Sequence, residues 1–416
     1  MNSDPIPVDV IPPLSTFLPL SLQHLCAMFG ATILVPILLG IDPATTLLFN
    51  GIGTLIFLVI CQWKVPAYLG SSFVYIAPSL MIIGSYGYGA ALTGYIGSGV
   101  FFLIVALIIY RAGSGWVRLI FPDVVMDSVV TIIGLGLAPT AARYAGLAGD
   151  NPDLHCIAIS LFTLLFTIIC MTLFRGVLKI LPILSGIVAG TALAALTGSF
   201  SLEPILNAPW FSIPTLYFPV WSAHAIIIII PASFVTLVEL FGHVQVTGTI
   251  IGKDLFKEPG LPRMLIGKGV SSILSGFFGA TPNTTYSENI GVLAITRVYS
   301  TAIFGGAAVL AILFSFCGKV SVAIRCIPEP VIGGVSLILF GVIAAQGIQM
   351  LLNAGVDLSH GRNMVLVSVI LIIGVSGTMI DLGPANLEGM SLATLAGVVL
   401  NLIFLIADKI GFHGDT

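Results

Sequence analysis

Charge is what this sequence has least of. Only 8% of its 416 residues are Asp, Glu, Lys or Arg, against 57% hydrophobic residues, where soluble domains carry about a quarter charged residues. So little charge cannot coat a water-facing surface, which excludes a soluble domain of any size and points to a chain integral to the membrane. The net charge of −3 says little about partners, because most of the surface faces lipid, and no nucleic-acid partner is expected. Cysteine is sparse as well: Cys26, Cys61, Cys156, Cys170, Cys317 and Cys326 show no CxxC spacing and read as small apolar residues. HExxH, GxSxG and GxxxxGK[ST] are all missing, so intramembrane hydrolysis and ATP-driven pumping have no visible machinery; the expectation is a protein that is no enzyme and carries neither cofactor nor metal. The opening MNSDPIPVDVIPP lacks the basic start and apolar run of a signal peptide, so no cleaved leader is expected.

What the sequence has is long apolar runs. They do not alternate in short segments as barrel strands do, so they read as helices, each needing about 20 residues to cross the hydrocarbon core. Twelve runs fit, near 16–38, 43–62, 88–110, 122–142, 155–174, 176–197, 223–250, 264–280, 298–317, 330–352, 364–382 and 389–408. Two further stretches, 66–84 and 281–297, are long enough to cross but are broken by Pro, Gly, Ser, Thr and Asn. Basic residues test whether they do. With fourteen crossings and a cytoplasmic start, the inside loops hold Lys64, Arg111, Arg118, Arg175, Lys179, Lys253, Lys257, Arg263, Lys268, Arg297, Arg362 and Lys409, and the outside loops only Arg143, Lys319 and Arg325. That asymmetry is the positive-inside pattern, and omitting one broken stretch would destroy it. The expectation is a multi-pass protein of the cell inner (plasma) membrane with both termini cytoplasmic.

The odd features recur. Gln23 and His24 mark the first run, Glu239 and His243 the seventh of the ordinary runs, and each pair is followed by a broken stretch; 49 residues separate His24 from Phe73 and Glu239 from Glu288 alike. Two halves of seven crossings each enter the membrane in opposite directions, the inverted-repeat plan of secondary transporters. The fold class expected is therefore an all-α polytopic membrane protein, a 7+7 inverted repeat of 14 segments. Segments 3 and 10 should each supply a short strand, paired antiparallel, followed by a half-helix; the second half-helix would begin near Glu288 or Asn289 and turn free N–H groups to a cavity.

Glu239 and Glu288 lie far from any span end, and a carboxylate sunk in hydrocarbon reads first as part of a substrate or proton path. An ion pair is the plainer reading, but no lysine or arginine is deep enough in this scheme to be an obvious partner. His243 is one helical turn past Glu239 and can touch it, either to exchange a proton or as a buried hydrogen bond. Gln23 and His24 read as polar glue between helices or as substrate contacts. Asn283, Thr284 and Thr285 would satisfy loose backbone groups or bind a cation such as sodium, and Thr296 and Arg297 would end the segment.

The stretch ENIGVLAITR resembles the signature of the nucleobase-ascorbate transporter (nucleobase:cation symporter) family, Q/E/P-N-x-G-x-x-x-x-T-R/K, through Glu288, Asn289, Gly291, Thr296 and Arg297. SLQHLCAMFGATILVP, PAYLGSSF, GFFGATPNTTY and ITRVYS carry the likeness over nearly the whole chain. Bacterial members that carry uracil have Glu at the first signature position, those for xanthine or urate usually Gln, and those for ascorbate Pro. The resemblance implies a core of segments 1–4 (14–110) and 8–11 (222–317) moving against a gate of segments 5–7 (111–221) and 12–14 (318–416), commonly as a homodimer. It implies that Glu239 and Glu288 bind uracil through their side chains and Phe73 and Ser287 through their backbones, with Tyr286 shaping the pocket and Asn289 behind it. It also links His243, with the two carboxylates, to proton coupling. Ser287 stands where these uracil carriers usually have Gly, which would strain the backbone if φ were positive there. The function expected is uracil import by proton symport; carriage of another nucleobase such as xanthine, anion transport on the same architecture, or a nucleobase sensor are the alternatives.

Overall fold

A computed structural model describes residues 5–113, 115–149, 153–381 and 386–411. The terminal residues 1–4 and 412–416, on which the expected position of both termini bears, lie outside the described residues. The chain is almost entirely helical. In its first part run α1 (Leu14–Ala27), α2 (Phe29–Leu39), α3 (Pro43–Ile60), the strand β1 (Leu69–Ser71), a 3₁₀ turn Phe73–Tyr75, α4 (Ile76–Tyr86) and α5 (Tyr88–Ala112). Next come α6 (Gly115–Ile120), α7 (Asp123–Tyr144), α8 (Leu154–Thr172), α9 (Val177–Ile180), α10 (Pro182–Leu196) and α11 (Glu203–Asn207). A third set holds α12 (Ala223–Ile251), α13 (Leu261–Phe278), β2 (Asn283–Thr285), α14 (Ser287–Thr296) and α15 (Thr301–Ser315). The chain closes with α16 (Gly318–Arg325), α17 (Glu329–Asn353), α18 (Gly361–Val375), the strands β3 (Met379–Asp381) and β4 (Asn386–Glu388), and α19 (Gly389–Ile410).

Among the described residues, eight helical stretches are long and apolar enough to cross a membrane, counting Leu14–Leu39 as one, and four shorter apolar helices accompany them. The first expected run is interrupted at Met28 and divides into α1 and α2. Pro and Asp begin several helices for physical reasons. Asp42 caps α3, its carboxylate accepting from the Ala44 N–H at 3.0 Å, and Pro43 at the first helical position forfeits no bond.

Both broken stretches become a short strand followed by a helix. β1 and β2 pair antiparallel, Leu69 opposite Thr285 and Ser71 opposite Asn283, as the sequence predicts. A two-stranded ribbon inside a helical bundle leaves its outer edges without strand partners, and orphan backbone groups are costly away from water. Side chains take that role here. Thr54 Oγ1 accepts from the Leu69 N–H at 2.9 Å and donates to the Leu69 carbonyl at 3.1 Å. Ser272 Oγ accepts from the Asn283 N–H at 3.3 Å, and the Tyr286 hydroxyl donates to the Ser71 carbonyl at 2.9 Å. Asn283 extends the scaffold, its amide donating to Ser271 Oγ and to the Phe49 carbonyl. Gly70 is required where Tyr286 crosses the ribbon, since a Cβ there would sit 2.3 Å from the ring. Likewise α5 and α13 touch backbone to backbone at Gly99 and Gly269, the small-residue contact common between membrane helices.

Candidate substrate site

The ribbon aims two helix beginnings at one place. Ser72 caps the 3₁₀ turn at Phe73, its hydroxyl accepting from the Val74 N–H. No side chain caps α14, which starts after Tyr286 with Ser287 and Glu288 in its first turn, so its leading N–H groups remain available as donors. The carboxylate of Glu288 belongs electrostatically at such a helix start. Serine at 287 is unstrained: among the described residues the non-glycine ones with positive φ are Gln62, Trp63 and Arg297, and Arg297 is the left-handed cap that ends α14 after Thr296.

Glu239, in the middle of α12, and Glu288 line the same cavity of about 250 Å³, together with Phe73, His243, Thr284, Thr285, Tyr286 and Ser287. That volume suits a ligand smaller than the drug-sized ones held by pockets of 300 Å³ and more. Thr284 Oγ1 donates to Glu239 Oε2 at 2.8 Å and Ser287 Oγ to Glu288 Oε2 at 3.4 Å. Phe73 is held edge-on by Phe340 of α17, ring centroids 5.3 Å apart. The opposite wall belongs to α17, with Ile343, Gln346, Gln349, Met350 and Asn353, and to α7, with Val130 and Ile133. A second cavity of about 260 Å³ shares Ser287, Glu288 and Gln346 and adds Gln23 and Cys26, so Glu288 stands between two hollows.

Two expectations change. His243 does not bond to Glu239; its Nδ1 lies 2.8 Å from Thr285 Oγ1, because β2 passes beside α12 and offers a hydroxyl to each of the two residues in turn. Lys268 is not a loop residue: it is buried within α13, its Nζ donating to the Thr236 carbonyl at 2.5 Å and facing Thr284 Oγ1 at 3.5 Å. A deep lysine beside Glu239 therefore exists after all. The signal was on the page, since Lys268 falls inside the apolar run 264–280. Of the three ribbon residues, Asn283 serves the backbone, its amide donating to the Phe49 carbonyl, while the Thr284 and Thr285 hydroxyls meet the side chains of Glu239 and His243.

Gln23 and His24 divide their parts. Gln23 lines the second cavity, while His24 is buried, its ring 4.4 Å from that of Phe304 and its carbonyl accepting from the Asn289 amide at 3.2 Å. Gln346 and Gln349, which sequence reasoning passed over, reach the site from the far helix; their trace was two glutamines three residues apart in an apolar run.

Among proteins of known identity, the chain is similar to "Uracil permease" of Escherichia coli (strain K12), 53% identical over 97% of this chain and 95% of that protein. It is also similar to "Uracil permease" of Paenibacillus larvae subsp. larvae, 50% identical over 100% of both. A solved structure, the transmembrane domain of the cyanobacterial bicarbonate transporter BicA, superposes with a TM-score of 0.65 at 16% identity, covering 94% of this chain and 97% of that one; this likeness speaks to the fold alone. The pattern of the Permease family (Xan_ur_permease) matches residues 15–383. A site of two half-buried carboxylates and helix ends, in a mostly helical chain with several apolar spans and matched along nearly its whole length, is thus that of a multi-pass membrane protein belonging to the Permease family.

Proposed function

We propose that the protein imports uracil together with a proton. The observation that carries this reading is the single cavity onto which Glu239, Glu288 and the start of α14 converge. Uracil is a flat neutral ring with two N–H donors and two carbonyl acceptors. Carboxylate oxygens suit the donors, and backbone N–H groups at Phe73 and Ser287 suit the carbonyls. Phe73 and Tyr286 supply aromatic walls to the ring. The names of the relatives cited above, at 50% identity and more, support uracil over another nucleobase. Glutamate rather than glutamine at 288 supports the same choice.

In this reading the eight long helical stretches, the four shorter apolar helices, α13 and α14 make fourteen crossings in two inverted halves of seven. The core, 14–110 and 222–317, carries the carboxylates and moves against the gate, 111–221 and 318–416, which supplies Gln346, with the protein working as a homodimer. The cavity runs from Glu239 past His243, Val246 and Ile250 toward the end of α12 that precedes Lys253 and Lys257. That lysine-bearing end is cytoplasmic by the positive-inside pattern, as are both termini, so the conformation faces inward. The proton travels with the group formed by Glu239, Glu288 and His243. Uptake of labelled uracil into proteoliposomes tests this: a pH gradient, acid outside, should drive accumulation and a sodium gradient alone should not. Competition by a nucleobase panel separates uracil from xanthine. Chloride or sulfate flux without uracil uptake would instead favour the anion-transporter reading.

A further inference from the structure

The uracil-binding reading leaves a buried lysine unused. Lys268 is 1% exposed and sits half-way along α13, so its ammonium cannot reach headgroups or water. Burying a charge without partners is expensive, and here each of the three ammonium N–H groups has a counterpart. One meets the Thr236 carbonyl at 2.5 Å, one Thr284 Oγ1 at 3.5 Å, and Nζ lies 4.6 Å from the centroid of the Phe102 ring, a cation–π distance.

The direction of the chain that follows is fixed by chemistry. An ammonium only donates, so Thr284 Oγ1 must accept from it, and the single hydroxyl proton of Thr284 is then directed to Glu239 Oε2, 2.8 Å away. Glu239 ends the chain as acceptor. Its second oxygen is left for the cavity. Lys268 and Glu239 do not pair directly; the threonine stands between them, which keeps the carboxylate turned to the ligand rather than collapsed on the lysine.

We propose that Lys268 is the resident counter-cation of the substrate site, acting through Thr284 to keep Glu239 an oriented, anionic acceptor for a ligand N–H. It is a positioning residue, since the ligand would touch Glu239 and not the ammonium. This inference rests on the reading that Glu239 accepts a hydrogen bond from uracil. The titratable groups that face the arrangement are Glu239 and His243 from α12, Glu288 from α14 across the cavity, and the Tyr75 hydroxyl from the 3₁₀ turn, which lies 3.0 Å from Thr236 Oγ1; α5 contributes the Phe102 ring. Within this set Lys268 alone is a fixed donor, so its loss leaves Glu239 with the Thr284 hydroxyl, no longer directed by a cation, as its contact.

The test measures equilibrium binding of labelled uracil by the purified full-length protein across pH, for the unaltered chain and for Lys268→Gln, Thr284→Val and Thr284→Ser. Without the ammonium, or without the hydroxyl that relays it, Glu239 takes up a proton more readily and becomes a weaker acceptor. The acid limb of the affinity profile should move to higher pH by about one unit or more in Lys268→Gln and Thr284→Val, about a tenfold loss of affinity on that limb, while Thr284→Ser keeps the original profile. A second readout uses thermal unfolding of Glu239→Gln, Lys268→Gln and the double variant. Either single change strands one charge, so the double variant should be more stable than additive losses allow. Unchanged pH profiles together with additive stabilities would overturn the proposal. Should Lys268→Gln fail to fold, the two Thr284 variants decide it by profile alone. Failure of the unaltered protein to bind uracil at any pH would instead remove the reading beneath it.

Discussion

Glu288 is held lightly and presented strongly. Its one hydrogen bond from a side chain is a long one from Ser287, and it stands in the first turn of an uncapped helix with a cavity on either side. A side chain placed so has its hydrogen-bonding capacity free for a ligand. Glu288→Ala removes the acceptor and leaves a ligand N–H unpaired, a loss of about 1.5–3 kcal/mol for a hydrogen bond to a charged group; uracil binding should weaken about tenfold or more. Binding that survives the substitution intact would reject this pocket. His243 differs, because its ring is tied to Thr285 and not to either carboxylate. His243→Ala is expected to cut uptake driven by a pH gradient well before it cuts equilibrium affinity, and parallel losses in the two assays would deny the histidine a separate coupling role. Both glutamates were legible in the sequence because charge in an apolar run is conspicuous. Lys268 was equally visible inside the apolar run 264–280, but counting basic residues as loop markers moved it to the helix end; its partners Thr236 and Thr284, which come from other segments, were not legible.

The β1–β2 ribbon is the element on which the site's geometry depends, because it sets where α14 starts relative to Phe73. Its stability rests on borrowed hydrogen bonds. Thr54 alone serves both the N–H and the carbonyl of Leu69, so Thr54→Val, nearly the same in shape, orphans two backbone groups at about 1–3 kcal/mol each. Thermal unfolding in detergent should show the loss, with Thr54→Ser close to the unaltered protein; equal melting of the valine and serine variants would show that the hydroxyl is dispensable. The strands were foreseeable from the run of Gly, Ser, Thr and aromatic residues in stretches too broken for a helix. Which side chains would close the ribbon's edges was not, as Thr54, Ser272 and Tyr286 approach from three separate elements. The break between α1 and α2 at Met28 likewise has no punctuation in the sequence, since neither Gly nor Pro occupies that position.

At the scale of the whole molecule, sequence periodicity locates helices but not their neighbours, and Gln346 and Gln349 gain meaning only because α17 docks across the cavity from Glu239. The same applies to Asp42, which looks in sequence like an ordinary helix cap. It gathers distant parts of the chain. Its carboxylate accepts from the Ala44 N–H of α3, the Thr215 N–H of the 208–221 connection and the Ser321 hydroxyl of α16, each at 3.0 Å, and meets the Arg325 guanidinium at 2.9 Å. Burial alone would raise its pKa, but the hydrogen bonds from Thr215, Arg325 and Ala44, with the guanidinium charge, hold the carboxyl below the usual carboxylate range. A carboxyl whose folded pKa is depressed stabilises the fold above its unfolded pKa, and that contribution fades as pH falls through the folded value. Acidification below about pH 4, the ordinary range for aspartate, should therefore loosen the junction between α3, α16 and the 208–221 connection. Asp42→Asn keeps the shape and the acceptor oxygen but has no proton to take up. It should melt at lower temperature than the unaltered protein at neutral pH, and the gap between the two should narrow as the buffer is made acid. A gap that stays constant with pH would mean that the carboxylate's charge contributes nothing to joining these segments.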